Sequence, residues 1–202
     1  MTKNFVVYGA GGMGKEADWI ADCNKANLEL VYFVDDNTQI INCNKKAVHH
    51  KLIDELPLVI SIAEPSIKRN LVNRLNTNQT FINLISDSVK QHNSAQIGIG
   101  CIVGFDVVIS CDVKVGNHTL INARSIIGHD SILGDFVSIM YNVSISGNVR
   151  IGDGTLIGSG AIILPGVQIG KNCKIGAGAV VTKNIPDNSI AVGVPAIVKK
   201  TI

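Results

Sequence analysis

Aromatic side chains are scarce in this chain: they make up 4% of its 202 residues, while 46% are hydrophobic. A core built from Ile and Val with few rings suits a narrow stacked body better than a globular sandwich. An excess of charge of one sign is also missing. The formal net charge is +2, and Lys and Arg are scattered without a basic run. Neither nucleic acid nor an acidic membrane surface is expected as a partner. The five cysteines, Cys23, Cys43, Cys101, Cys111 and Cys173, form no CxxC pair. No Cys/His/Asp cluster has ligand spacing, so no metal is expected, and the thiols read as buried groups in a reducing cytosol. No stretch is long and uncharged enough to span a bilayer, and Met1–Tyr8 lacks the apolar core of a signal peptide. The expectation is a soluble, cytoplasmic protein.

What the chain does have is a register. From Ile97 to Val181 every sixth residue is Ile, Leu or Val, through Val103, Ile109, Val115, Ile121, Ile127, Leu133, Ile139, Ile145, Ile151, Ile157, Ile163, Ile169 and Ile175. Four places after each comes a small or β-branched residue, such as Val107, Thr119, Ser125, Ala161 or Cys173. A period of six fits neither an amphipathic helix nor a hairpin meander. It fits a solenoid whose triangular coils have three short flat sides, with the aliphatic side chain pointing inward. Gly often follows the aliphatic position, as in Gly104, Gly116 and Gly128, and is expected to permit the sharp corner.

Ahead of the repeats lies a different pattern. Asn4–Tyr8 reads as a buried strand feeding a glycine-rich loop and a helix from Lys15 to about Ala26. Leu30–Val34 and Leu58–Ile62 read as further strands, Pro65 to about Asn76 as a helix, and Thr80–Ile85 as a fourth strand. The expected organisation is a small Rossmann-like α/β domain over 1–85 and an all-β solenoid over 86–202, ending in an irregular tail after Val181. Gly9, Gly11 and Gly14 match G-x-G-x-x-G between strand and helix, where backbone N–H groups can hold a phosphate. Asp35 ends the next strand, where ribose or base sits in such lobes. Only one mononucleotide half fits before residue 86, which favours a nucleotide-sugar over NAD.

Of five histidines, His49, His50 and His92 lie in polar stretches outside the repeats, and His118 reads as structural. His129 takes an outward place in its hexad and is followed at once by Asp130, a carboxylate able to orient the ring. Three hexads make one coil of eighteen residues, and eighteen past His129 is Gly147. The two are expected on neighbouring coils, one strand spacing of about 4.8 Å apart. A base beside a bare glycine N–H suits acyl transfer, since the N–H can hold the oxyanion.

This combination resembles the hexapeptide-repeat acyltransferases, whose fold is a left-handed parallel β-helix. More narrowly, it is similar to the nucleotide-sugar acetyltransferases of the sialic-acid O-acetyltransferase and bacillosamine N-acetyltransferase group, over nearly the whole chain. The resemblance implies that the loop at Gly11, Gly12 and Met13 touches the nucleotide-sugar and that Asp35, Asp36 and Asn37 recognise base and ribose. Ile62 and Ala63, with Lys68 or Arg69, are implied near the same ligand. Family members often carry Gly-Asn or Gly-Asp where this chain has Ala63-Glu64. Ile126-Ile127-Gly128-His129-Asp130 matches the motif of the general base and its acidic partner, and Ser146-Gly147-Asn148-Val149 the segment whose glycine amide meets the thioester carbonyl. Asn122 matches an Asn near the reacting amine or hydroxyl. Ser138 stands where many relatives have a second histidine in contact with acetyl-CoA. The pantetheine arm is implied to run from Gly147 past Ser159, Ala161 and Ala177 to Gly193-Val194-Pro195-Ala196, with Lys183, Lys199 and Lys200 near the CoA phosphates.

The function expected on these grounds is acetyl transfer from acetyl-CoA to the amine of a nucleotide-linked 4-amino-4,6-dideoxy sugar, by direct attack with His129 as base. The resemblance also implies a homotrimer with the site between subunits, and a place in glycan or lipopolysaccharide assembly. O-acetylation of sialic acid or a related sugar is the rival within the class. A non-catalytic solenoid scaffold and an NAD-dependent oxidoreductase are rivals outside it.

Overall fold

In a computed structural model the chain is described over residues 3–24, 28–42, 45–49, 56–75 and 78–201. Cys43, His50, Ala26 and Asn76 lie outside the described residues. The N-terminal lobe begins with β1 (Lys3–Tyr8), α1 (Gly12–Asp22) and β2 (Leu28–Val34). A short antiparallel pair follows, β3 (Ile41–Asn42) and β4 (Lys45–Lys46), in a stretch without a sequence pattern. It is completed by β5 (Leu58–Ile60) and α2 (Pro65–Arg74). β1 lies between β2 and β5 in a parallel three-stranded sheet. Phe5, Val6 and Val7 are fully buried in it, as a strand covered on both faces requires. α1 turns Ala17, Ile20 and Ala21 inward, and α2 turns Leu71.

The expected fourth strand does not belong to this sheet. Phe81 makes only an isolated bridge to Leu58, and Leu84–Ile85 pair with Ile102–Val103 of the solenoid. An apolar run cannot by itself say which of two sheets it joins.

The rest of the described chain is a left-handed parallel β-helix of two-residue strands stacked with an eighteen-residue repeat, as in Ile109 beside Ile127 beside Ile145. Its three faces are an eight-stranded, a six-stranded and a five-stranded sheet. One coil visits them in turn through Leu120–Ile121, Ile126–Ile127 and Ile132–Leu133. The inward positions are the expected ones: Ile121, Ile127, Ile139 and Ile157 are fully buried, and so are Val107, Val137, Ala161 and Cys173. Each fully buried Ile or Val contributes about 1.5–3 kcal/mol from burial.

The glycines after the aliphatic positions do not make the corners. The left-handed conformation falls two residues later, at Asp106, Asp112, His118, Arg124, Asp130, Phe136, Asn142 and Asn148. Gly128 is needed for a different reason: a Cβ there would lie 2.5 Å from the Ser146 carbonyl carbon and 2.6 Å from the Gly147 nitrogen. At that position the coils come too close for a side chain. The tail after Val181 is also more regular than expected. Ile185 bridges to Ile169, and Ser189–Val192 extends the eight-stranded sheet before pairing antiparallel with Ile197–Thr201.

The lobe covers the eight-stranded face. Trp19 of α1 packs on Phe105 with ring centroids 4.3 Å apart, and Asn24 Nδ2 donates to the Ile85 carbonyl at 2.8 Å. On the other side Lys174 pairs with Glu64 at 2.9 Å, and Arg69 lies over the Phe136 ring.

Candidate active site

The three corners of the prism carry different residues. The corner between the five- and eight-stranded faces is stitched from coil to coil by Asx side chains. Asn117 Oδ1 accepts from Ile99 N at 3.0 Å, Asp135 Oδ1 from Asn117 N at 2.7 Å, and Asp153 Oδ1 from Asp135 N at 3.1 Å. The corner between the six- and five-stranded faces holds His129. Its equivalents on the next two coils are Gly147 and Pro165. Neither offers a side-chain acceptor, so no such ladder forms. The Gly147 N–H donates to no acceptor among the described residues.

Glycine at 147 also makes room for the imidazole. A Cβ at that position would lie 2.5 Å from Cε1 and 2.5 Å from Nε2 of His129. The chain path is held by Asn148 N donating to the His129 carbonyl at 2.7 Å. His129 Nδ1 lies 2.7 Å from Asp130 Oδ2. With Nδ1–H donating to that carboxylate, Nε2 carries the lone pair. Asp130 takes a φ of 61°, in the left-handed region, a conformation Asp tolerates better than most residues. Both side chains are about 60% exposed, at 61% and 59%, on an open groove of about 750 Å³ lined also by Asp112, Lys114, Ile132, Asn148 and Arg150.

The glycine-rich loop lies at another corner, between the eight- and six-stranded faces. Gly9 has a φ of 107°, and a Cβ on Gly14 would come within 2.2 Å of the Gly9 carbonyl oxygen, so both glycines are needed for the turn itself. Gly11 and Gly12 face open space, with nothing within 4 Å of an added Cβ. No side chain caps α1, which leaves its first N–H groups available to an anion. Asp35 braces the loop, accepting from Ala10 N at 2.9 Å through Oδ2 and from Asn37 N at 2.9 Å through Oδ1. Asp36 accepts from Tyr8 OH at 2.8 Å and pairs with Arg74 at 3.2 Å. Asn37 Oδ1 accepts from Gln39 N at 3.1 Å. Ile62 lies beside Gly9, and Ala63 packs against the lobe core. The lobe meets the solenoid corner through Tyr141, whose hydroxyl donates to Glu16 Oε1 at 2.5 Å and lies 3.9 Å from Met13 Sδ.

The predicted residues therefore fall into two groups on one chain. His129, Asp130 and Gly147 share the histidine corner. Asn122, Ser159, Ala161 and Ala177 follow strands of the eight-stranded face, at the corner that carries the lobe. Asn122 is buried there beside Met140 Sδ, and Ala161 points into the core, offering only backbone to a ligand. Gly160 and Gly178, on the same corner, leave open surface beside Ser159 and Ala177. Val194 and Pro195 belong to a turn tied to Val180, which donates to Gly193 O and accepts from Ala196 N.

Two expected ligand contacts are placed elsewhere. Lys68 is 1% exposed, and its Nζ donates at 3.3 Å to Ser138 Oγ, itself fully buried beneath the lobe. Neither side chain is open to a nucleotide-sugar or to acetyl-CoA in this chain. The outward face of the Ser138 strand is the one α2 covers, which no local pattern reveals. Burial lowers the Lys68 amine to about 7. His118, also buried, lies between Phe81 and Phe136.

Residues 4–75 match the PglD N-terminal domain, and residues 130–164 and 148–183 match the bacterial transferase hexapeptide (six repeats). The chain thus joins a PglD-type N-terminal domain to transferase hexapeptide repeats. Among solved structures, the acetyltransferase domain of PglB from Neisseria gonorrhoeae is 26% identical, covering 98% of this chain and 100% of that one, with a TM-score of 0.90. It has also been solved in complex with acetyl coenzyme A. WeeI from Acinetobacter baumannii is 26% identical over 98% of this chain and 100% of that one, with a TM-score of 0.85. Perosamine N-acetyltransferase from Caulobacter crescentus, solved as a variant with CoA and GDP-perosamine, shares the fold at 24% identity and a TM-score of 0.89, covering 99% of this chain and 98% of that one. No curated protein matches the sequence.

Proposed function

We propose that this protein is a sugar acetyltransferase that moves an acetyl group from acetyl-CoA to the amine of a nucleotide-linked 4-amino-4,6-dideoxy sugar. The observation that carries the reading is the His129–Gly147 pair. One imidazole nitrogen is tied to Asp130, and the other lies over a glycine whose N–H has no partner among the described residues. His129 Nε2 takes the proton that the acceptor amine releases as its nitrogen bonds to the thioester carbonyl carbon. Gly147 N–H donates to the carbonyl oxygen as charge gathers on it, and Asp130 steadies the imidazolium. Collapse breaks the carbon–sulfur bond. The CoA sulfur leaves with the electron pair and recovers the proton from His129, so an amine and a thioester become an amide and a thiol.

The reading requires more than one copy of the chain. The glycine-rich loop and Asn122 sit at one corner, His129 at the next, and the six-stranded face lies between. That face exposes Val108, Ile126 and Ile162 at 37%, 47% and 42%. Packing three such faces around an axis would bury this aliphatic strip and bring the lobe corner of one subunit to the histidine corner of its neighbour. In this homotrimer the lobe, whose sheet and helices run from Lys3 to Arg74, supplies the nucleotide cradle, and the solenoid, which begins with the Leu84–Ile85 strand, supplies the chemistry. The likeness to the PglB domain solved with acetyl coenzyme A supports the donor, and the glycine-lined surface beside Ser159 and Ala177 lets a pantetheine arm approach the backbone. No helix among the described residues is long and apolar enough to cross a membrane.

Incubation with acetyl-CoA and a panel of UDP-, dTDP- and GDP-linked 4-amino sugars, with free sialic acid included, tests the assignment. Turnover of one of the amino sugars is the expected result. Faster turnover of sialic acid would move the assignment to O-acetylation, and no transfer to any member would leave a scaffold.

A further inference from the structure

The five-stranded face differs from the other two. The lobe covers the eight-stranded face, and the outward column of the six-stranded face is mainly aliphatic, with Val108, Ile126, Ile162 and Val180 beside Lys90 and Ser144. The outward positions of the five-stranded face are Gln96, Lys114, Ile132, Arg150 and Gln168, in one column by strand register. Lys114 and Arg150 flank Ile132 and line the groove that holds His129 and Asp130. Some surface cations are paired, Lys171 with Asp153, Lys174 with Glu64 and Arg74 with Asp36, whereas exposed Lys90, Arg124 and Lys183 have no ion pair among the described residues but lie outside this groove. Among the described residues Lys114 and Arg150 have no ion pair. Of the two carboxylates in the groove, Asp130 is engaged with His129, and Asp112 lies within salt-bridge reach of neither cation.

We infer that Lys114 and Arg150 form a phosphate-recognition pair for the pyrophosphate of the acceptor, supplied by the subunit that contributes His129. The two strands lie two spacings apart, about 9.6 Å at the backbone, and both side chains are long enough to converge above Ile132. Arg presents a planar fork of donors to phosphate oxygens, and Lys adds a mobile point charge. The distance to the base decides between the two co-substrates. In acetyl-CoA the whole pantetheine arm separates thioester from pyrophosphate. In a sugar nucleotide the 4-amine and the anomeric phosphate lie on opposite sides of one pyranose ring. An anion site in the same groove as His129 therefore fits the acceptor's phosphates. In the trimer proposed above, this face looks toward the neighbouring lobe. Its helix N-terminus would hold the pyrophosphate from one side and the cation pair from the other. The consequence is specificity: a 4-amino sugar without its nucleotide diphosphate loses both contacts.

This inference rests on the acetyltransferase reading, and the test separates the two. Lys114→Gln, Arg150→Gln, the double variant and Arg150→Lys are compared with the unaltered protein in steady-state kinetics and in direct titration with the nucleotide-linked amino sugar. The double variant is expected to raise the acceptor KM and Kd about tenfold or more, with the acetyl-CoA KM unchanged and Arg150→Lys partly restored. The preference for nucleotide-linked over free amino sugar should fall by a similar factor. An unchanged acceptor Kd and KM, or a rise confined to the acetyl-CoA KM, overturns the inference while leaving acetyl transfer intact. Because the titration reads binding without turnover, it decides the matter even if the transfer assay finds no activity.

Discussion

The imidazole of His129 occupies the space that a side chain at Gly147 would need: an added methyl there falls 2.5 Å from two of its ring atoms. Glycine at 147 thus does two things at once. It seats the ring on the coil above and leaves its own N–H uncapped at the same corner. Gly147→Ala keeps the N–H but displaces the ring. Since a shift of about 1 Å at a reacting group can cost around a hundredfold, kcat should fall by about that factor. The acceptor KM should change little. A kcat near that of the unaltered protein would separate His129 from the chemistry.

Gly12 offers a test of the cradle in which stability and function move in opposite directions. It lies in the first turn of α1 with open space around the missing Cβ. Gly12→Ala should raise stability by about 0.5–1 kcal/mol, the usual helix preference for Ala. It should also raise the acceptor KM, because the methyl group stands where phosphate approaches the helix N–H groups. Thermal unfolding and steady-state kinetics on one sample read both. A gain in stability with an unchanged acceptor KM would make the loop a purely structural turn.

Lys68 sets a pH dependence of folding. Its amine is held to about 7 by burial, below the ordinary 10.5 of the unfolded chain. Between those values the unfolded state binds a proton that the folded state does not, so stability rises with pH across this window. The benefit is fully present above the unfolded value and is lost as pH falls through the folded one. Lys68→Met removes the charge and keeps the apolar stem. Its midpoint of unfolding should exceed that of the unaltered protein at pH 7, with the gap closing toward pH 10. Parallel curves across that range would contradict the assignment.

How far the sequence could be read varies by element. The six-residue period specified the solenoid, its inward positions and the eighteen-residue register that brings Gly147 to His129, because each is a local consequence of a repeat. Which of two sheets Thr80–Ile85 joins and the burial of Lys68 and Ser138 were not legible. Both depend on which face the lobe covers, a tertiary choice made by contacts such as Trp19 on Phe105 and Tyr141 on Glu16. The role of the glycines that follow the aliphatic positions was legible in position but not in cause: they permit coil stacking, while the corners are turned two residues later by left-handed residues, among them Asp, Asn and other glycines such as Gly154 and Gly160. One signal was present and unread. Asn117, Asp135 and Asp153 recur at one corner, whereas Gly147 and Pro165 replace them at the His129 corner, and that break marks an edge without its own hydrogen-bond ladder.

The central claim is that the lobe of one subunit presents the acceptor to His129 of another. Mixing two variants, each defective in a different half, tests it most directly. His129→Ala removes the base, and Gly12→Asp puts a carboxylate where the phosphate sits. Each alone should transfer no acetyl group above background. Co-assembled in equal amounts they should recover about a quarter of the unaltered rate, the fraction of interfaces in a random mixture with both halves intact. Full activity of His129→Ala alone, or no recovery on co-assembly, would contradict the account.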